Sequence, residues 1–296
     1  MLGITQGITE FAPVSSSGHL ILVPWFFGWS ILKDPILNKT FDVALHVGTL
    51  IGALLYFRND VVRYLAAWIR SIRGRRMATV DERLAWVLVI GTIPGAVAGA
   101  AFSNLIETRL GQPWLIASML VVFGVVLVAV DRMVAARSSR SVAMAGDGAT
   151  VMVDGVARGR TIEDVGIRDG VIVGVAQAVA LQPGVSRSGV TITAARAVGL
   201  EREPAARFSF LLSLPIIAGA GVFKGAELVR EGMPPGMAGP FLWGMISAAV
   251  SGFLVIWFLL SYLRRHDFMI FLWYRVAVAA IVFAVILAGV RPASGL

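Results

Sequence analysis

The 296-residue sequence contains no cysteine, which excludes disulfides and thiolate metal sites. Histidine is nearly as scarce, at three residues, and charged side chains make up only 15% of the chain. Soluble domains carry roughly one quarter. In place of charge the chain is 57% hydrophobic, with a mean hydropathy of +0.80. Apolar segments recur along the whole length, so the chain reads as an all-α polytopic membrane protein rather than a soluble body on one anchor. The N-terminus lacks a basic stretch and a cleavage site, so a removable signal peptide is not expected. The net charge of +8 comes from arginine clusters between apolar segments. That pattern signals orientation in the bilayer and contact with anionic headgroups, not a nucleic-acid partner. A homo-oligomer is compatible with this composition.

Six segments have the roughly 20 apolar residues that a hydrocarbon core of about 30 Å requires. They fall at 41–57, 84–106, 110–131, 207–223, 240–263 and 268–290. Two further apolar regions, 1–32 and 170–200, are each interrupted by a Pro/Gly/Ser cluster. Each half is about a dozen residues, or on the order of 18 Å of helix, which reaches the midplane and no further. Both are therefore expected to be re-entrant hairpins. They match each other without gaps: "GITQGITEFAPVSSSG" (3–18) aligns with "GVAQAVALQPGVSRSG" (174–189). Gly3, Gln6, Val14, Ser15, Ser17 and Gly18 recur as Gly174, Gln177, Val185, Ser186, Ser188 and Gly189. The expected organisation is a first repeat over 1–133, a cytoplasmic linker over 134–165 and a second repeat over 166–296. Each repeat would hold one hairpin and three crossings. Three crossings are odd, so the second repeat enters from the opposite face, an inverted-topology repeat whose site lies where the halves meet at the midplane.

Arginine placement gives an independent expectation. Loop 58–83 carries seven arginines and 132–168 six, whereas the alternate loops carry only Lys33 and Lys39, Arg109, or Lys224 and Arg230. The rich loops are then cytoplasmic, and both termini and the mouth of the first hairpin lie outside. Residues 137–165, with "GDGATVMVDGVARGR", suggest a small β-hairpin without chemistry of its own. Trp25, Trp29, Trp114, Trp243 and Trp273, near segment ends, suit interface anchors.

The chemistry concentrates at the breaks. Arg187 sits in an otherwise uncharged run, and a guanidinium at that depth needs a partner or a wet cavity. Ser186, Ser188 and Thr191 surround it as hydroxyl donors, beside the N-terminus of the returning half-helix, where amides and the dipole favour an anion. An arginine fork beside such amides suits phosphate oxygens. The structural alternative pairs Arg187 with Glu10 across the repeat interface. At the first break, Gln6 and Glu10 share a helix face at i, i+4 and could hold a hard divalent cation, with phosphate oxygens completing its shell. Ser15, Ser16, Ser17 and His19 follow at the turn, where a serine and a histidine suit a nucleophile and its base. A serine there is also a routine N-cap, and at least one of the three is expected to be only that. Asp42 and His46 occupy one face of the first crossing helix. Asp42 favours the helix N-terminus there, and His46 is a candidate to line the cavity. Arg275, also intramembrane, is expected to have a pair or a backbone partner.

The motifs "GITQGITEFAPVSSSGHL" and "LQPGVSRSGVTIT" closely resemble the two signatures of bacterial undecaprenyl-diphosphatases, the bacitracin-resistance protein family. The resemblance runs along nearly the whole chain, including "RFSFLLSLPIIAGA". It implies an inner-membrane enzyme of inverted-repeat fold, with its site open to the periplasmic side. Its expected substrate is a polyprenyl diphosphate lipid, cut to undecaprenyl phosphate and inorganic phosphate to recycle the carrier for peptidoglycan. It implies a divalent cation, Mg2+ or Ca2+. By motif position it makes Glu10, Ser16, His19 and Arg187 catalytic, with Gln6 in the first place of an (E/Q)xxxE motif where some members have glutamate. Ser15, Ser17, Ser186, Ser188 and Thr191 are then expected around the diphosphate. The expected mechanism is in-line displacement, with Ser16 as nucleophile and His19 as base, direct attack by His19 being the alternative. A polyprenyl-phosphate flippase or a secondary transporter would use the same architecture for binding alone. The type 2 phosphatidic acid phosphatases share an "SGH" element, but their remaining motifs are missing. The topology has its own test. Single cysteines introduced at positions 73 and 109 should label from opposite faces, and labelling of both from outside would remove the inverted repeat.

Overall fold

The computed structural model describes residues 1–29, 35–146, 160–231 and 236–294. Among these, the secondary structure is α-helical apart from a 3-10 turn at Ile162–Asp164 and one isolated bridge between Arg160 and Leu200. The first repeat region holds α1 (Leu2–Phe11), α2 (Ser16–Phe27), α3 (Pro35–Tyr56), α4 (Arg58–Gly74), α5 (Val80–Arg109) and α6 (Pro113–Gly146). The second holds α7 (Ile167–Val179), α8 (Arg187–Ala197), α9 (Arg202–Glu231), α10 (Ala238–Leu263) and α11 (Met269–Leu287). The β-hairpin expected in the linker falls largely outside the described residues. Its N-terminal side is a continuation of α6 to Gly146.

Among the described residues, five helices are long and apolar enough to cross a bilayer, with spans at Val80–Phe102, Pro113–Arg137, Arg202–Val222, Ala238–Leu263 and Met269–Leu287. The sixth expected crossing is α3, whose 22 residues reach about 33 Å at the helical rise. It bends by 85° into α4. The arginine content marks 58–83 as a loop, but its first part, Arg58–Gly74, is helical. Tyr64, Ala67 and Ser71 form the buried face of α4, while its arginines and several large apolar residues stay exposed. This basic, amphipathic composition is the one that suits helices lying along a membrane surface. The arginines that announced the orientation had hidden its apolar stripe.

The two short helix pairs, α1–α2 and α7–α8, are 10 to 13 residues per arm, too short to cross. Their breaks have local causes. Ala12 before Pro13 is extended, with ψ 138°, which ends α1. Gly184 at φ 96° turns the chain after α7. Ser15 and Ser186 then start α2 and α8 as N-caps, their hydroxyls accepting from the amides of Gly18 and Gly189. Both serines have φ 76°, a conformation in which side-chain-bearing residues are rarely held.

Packing crosses between the halves: α1 lies on α10, α7 on α5, α3 on α9 and α6 on α11. The two hairpin contacts use the same device. A Cβ on Gly3 would collide with the carbonyl oxygen of Gly244, and one on Gly174 with that of Gly91. These matched pairings are consistent with the expected repeat. The remaining interior is apolar, with Phe11 edge-on to Phe210 at 5.4 Å. Trp114, Trp243 and Trp273 are exposed as expected of anchors, but Trp25 is buried and donates to the carbonyl of Pro292. A buried ion cluster joins α6, α8 and α9: Asp131 accepts from Arg196 (2.8 Å) and Arg202 (2.8 Å).

Two stability effects follow. Gly174→Leu should destabilise the detergent-purified chain by about 1–3 kcal/mol through overpacking, whereas Gly219→Leu, with nothing within 4 Å, should leave its thermal midpoint nearly unchanged. Asp131→Asn, which strands two guanidinium groups, should cost about 3–5 kcal/mol in the same measurement.

Candidate active site

The two breaks meet inside the molecule. Gly184 N–H donates to Ser15 Oγ (3.0 Å), and Ser188 Oγ donates to the carbonyl of Ala12 (3.0 Å). The fully buried Arg275 donates to the carbonyls of Pro13 (2.6 Å) and Val185 (3.4 Å), one in each turn, and to that of Leu120 (3.4 Å). Its partners are thus backbone groups, and it fastens one turn to the other. The arrangement brings the N-termini of α2 and α8 to one place. The amides of Ser16, Ser17, Arg187 and Ser188 make no hydrogen bond among the described residues, as expected for first-turn donors that the caps, bonded to Gly18 and Gly189, do not reach.

Beside them is a cavity of about 310 Å³. Glu10, Ser16, Ser17, His46 and Arg187 form its polar part, and Val43, Ala180, Ile216 and Ile217 are among its apolar walls. Glu10 is the hub. Its Oε1 accepts from Arg187 Nη2 (2.6 Å), and its Oε2 from Ser16 Oγ (2.6 Å) and Gln6 Nε2 (3.0 Å). The pair offered as a structural alternative, Arg187 with Glu10, is therefore formed, but at the wall of an open cavity and with a serine hydroxyl on the same carboxylate. Among the described residues Arg187 Nη1 is buried without a partner, so the guanidinium has unused donor capacity. A buried unpaired donor of a charged group is costly and suits an incoming anion.

The expected site residues divide into two groups. Glu10, Ser16, Ser17 and Arg187 line the cavity. Ser15, Ser186, Ser188 and Thr191 are buried and committed to building the turns: the first two are caps, Ser188 bridges to Ala12, and Thr191 bonds Arg187 O (2.7 Å) and Ser209 Oγ (2.6 Å). His19 is also away from the cavity lining. Its Nδ1 donates to Ser15 O (2.7 Å), and in the neutral ring Nε2 then accepts from the Tyr274 hydroxyl (2.8 Å). The hydroxyl of Ser16 goes to Glu10, not to His19. His19 begins the second turn of α2, and its ring folds back onto its own i−4 carbonyl.

The imidazole that does reach the cavity is His46. Its Nδ1 donates to the carbonyl of Asp42 (2.7 Å), and its Nε2 lies 3.6 Å from Glu10 Oε2. The sequence signal was its depth on an apolar helix face, which does not show which partner it meets.

Glu10 and Gln6 do not form a cage for a resident cation. The one carboxylate already accepts from three donors, one of them a guanidinium, and Gln6 turns its NH2 towards it. Among the described residues no group of three or more His, Asp and Glu could hold a metal ion. Gln6 Oε1 is buried without a partner among the described residues.

Comparison with known proteins agrees with the motifs. The profile of the family described as "Bacitracin resistance protein BacA" matches residues 1–281. An undecaprenyl-diphosphatase of Moorella thermoacetica is 44% identical over 285 residues, covering 96% of this chain and 95% of its own. One of Gemmatimonas aurantiaca is 44% identical over 284 residues, covering 96% and 95%, and one of Geobacter sulfurreducens 43% over 289 residues, covering 97% of each. With both breaks, their cross-bonds and a family profile matching residues 1–281 in one chain, the protein belongs to the BacA bacitracin resistance family.

Proposed function

We propose that this chain is an undecaprenyl-diphosphatase of the bacterial inner membrane, hydrolysing undecaprenyl diphosphate to undecaprenyl phosphate and inorganic phosphate. The recycled lipid carries peptidoglycan precursors, and its supply underlies bacitracin resistance. One observation carries the reading: Glu10 holds a serine hydroxyl and an arginine on its two oxygens, inside a cavity that opens among apolar helix faces. The polyprenyl chain can then remain in lipid while its diphosphate reaches the polar wall.

In this mechanism the diphosphate enters beside Arg187 and the free first-turn amides of α2 and α8. These neutralise the charge on the transferred group, the main requirement of phosphoryl transfer. Ser16 Oγ attacks the terminal phosphorus in line with the leaving oxygen, and Glu10, 2.6 Å away, takes its proton. The base is thus Glu10 rather than His19, whose ring nitrogens are both engaged. The arginine-poor loops support a site that opens to the periplasmic face, between two oppositely oriented repeats. A carrier or flippase would use the same groups for binding but would have no use for a serine hydroxyl donating to a carboxylate.

Phosphate release from undecaprenyl diphosphate by the purified protein in detergent, where transport has no meaning, separates these readings. Arg187→Ala and Ser16→Ala should each lower the rate by about 10²-fold or more. Near-normal release from either variant would remove the assignment. Glu10→Gln should impair catalysis similarly while the chain stays folded, because the amide oxygen still accepts from Arg187.

A further inference from the structure

We propose that His46 is a further catalytic residue, the base that activates water when the phosphate is removed from Ser16. The inference rests on the diphosphatase reading above and adds to it the second half of the reaction. Three observations carry it. His46 lines the same cavity as Glu10, Ser16 and Arg187, with about a third of its side chain accessible (34%). Its Nδ1 is fixed as a donor by the carbonyl of Asp42, so the neutral ring presents the lone pair of Nε2 on its other side. That Nε2 stands 3.6 Å from Glu10 Oε2, too far for a direct hydrogen bond but close enough for one water to touch both.

The other groups leave this role open. Glu10 on α1 holds the Ser16 proton after the first step and must return it. Arg187 on α8 has no lone pair, Ser17 on α2 is only a hydroxyl, and α9 offers apolar residues and Gly221. Asp42, on the helix of His46 itself, contributes its carbonyl. His19 is engaged at both nitrogens.

The steps balance. In the first, the Ser16 Oγ–P bond forms, the anhydride P–O bond breaks, the proton moves from Ser16 to Glu10 and polyprenyl phosphate leaves. In the second, a water oxygen bonds to phosphorus and its proton passes to His46 Nε2. The Oγ–P bond breaks, and Oγ recovers its proton from Glu10. His46 then loses its proton to solvent as phosphate departs.

The test uses the purified full chain and undecaprenyl diphosphate labelled in its terminal phosphate, with His46→Gln and His46→Asn compared with the unsubstituted protein. Both variants should release one equivalent of lipid phosphate at close to the normal rate, then turn over about 10²-fold more slowly. The label should remain on the protein as an acid-stable serine ester that Ser16→Ala does not form. Normal steady-state turnover in both variants would overturn the proposal. So would a first turnover slowed as much as the steady state with no label on a protein of normal thermal midpoint. If the unsubstituted protein releases no phosphate, it is the diphosphatase reading that fails.

Discussion

A break in a helix inside an apolar layer frees backbone N–H and C=O groups that no water is present to satisfy, and the rest of this structure depends on how two such breaks satisfy each other. Arg275 donates to carbonyls of both turns, Ser15 takes an amide from the opposite turn, and Ser188 gives its hydrogen to a carbonyl of the first. Neither hairpin could be left at this depth alone. Once they are joined, the starts of α2 and α8 converge, and with them four unused amides and the side chains at the first helical positions. Glu10, 5% exposed, is tolerated because its oxygens accept from donors of both hairpins.

This origin explains why so few of the polar residues at the breaks face the cavity. The hydroxyls of Ser15, Ser186, Ser188 and Thr191 hold turns and helix starts in place, including two serines at positive φ. Backbone strain of about 1–3 kcal/mol at such a position persists only where surrounding bonds over-determine it. The effect is to aim position 16 of one turn and position 187 of the other at the same carboxylate. Arg187 Nη1 remains without a partner there among the described residues.

Much of this was legible in the sequence, for reasons that can be named. The interrupted apolar regions gave the hairpins because proline and glycine act locally. Arg187 and Glu10 stood out because charge in an apolar run must find a partner. The surface helix α4 was not legible, since its arginines dominate its composition and its buried stripe is narrow. Which imidazole stands beside Glu10 was not legible either. His19 stands three residues from Ser16, and proximity along the chain suggested a pair, yet its ring closes on Ser15 and Tyr274. His46 lies thirty-six positions from Glu10 in sequence and reaches it only through the packing of α3 on α1. Spacing along one helix is readable from sequence, whereas approach between helices is fixed by interior packing.

Ser16 and Arg187 occupy the same place in the alignment of the two repeats, and they meet on opposite oxygens of one carboxylate. A pair of identical halves would set serine against serine, or arginine against arginine, with no hydroxyl facing a guanidinium. The residue matching Glu10 is Leu181, so the shared carboxylate also belongs to one half alone. The turn scaffold is common to both halves of the sequence, whereas the serine, the carboxylate and the arginine that meet at its centre are not.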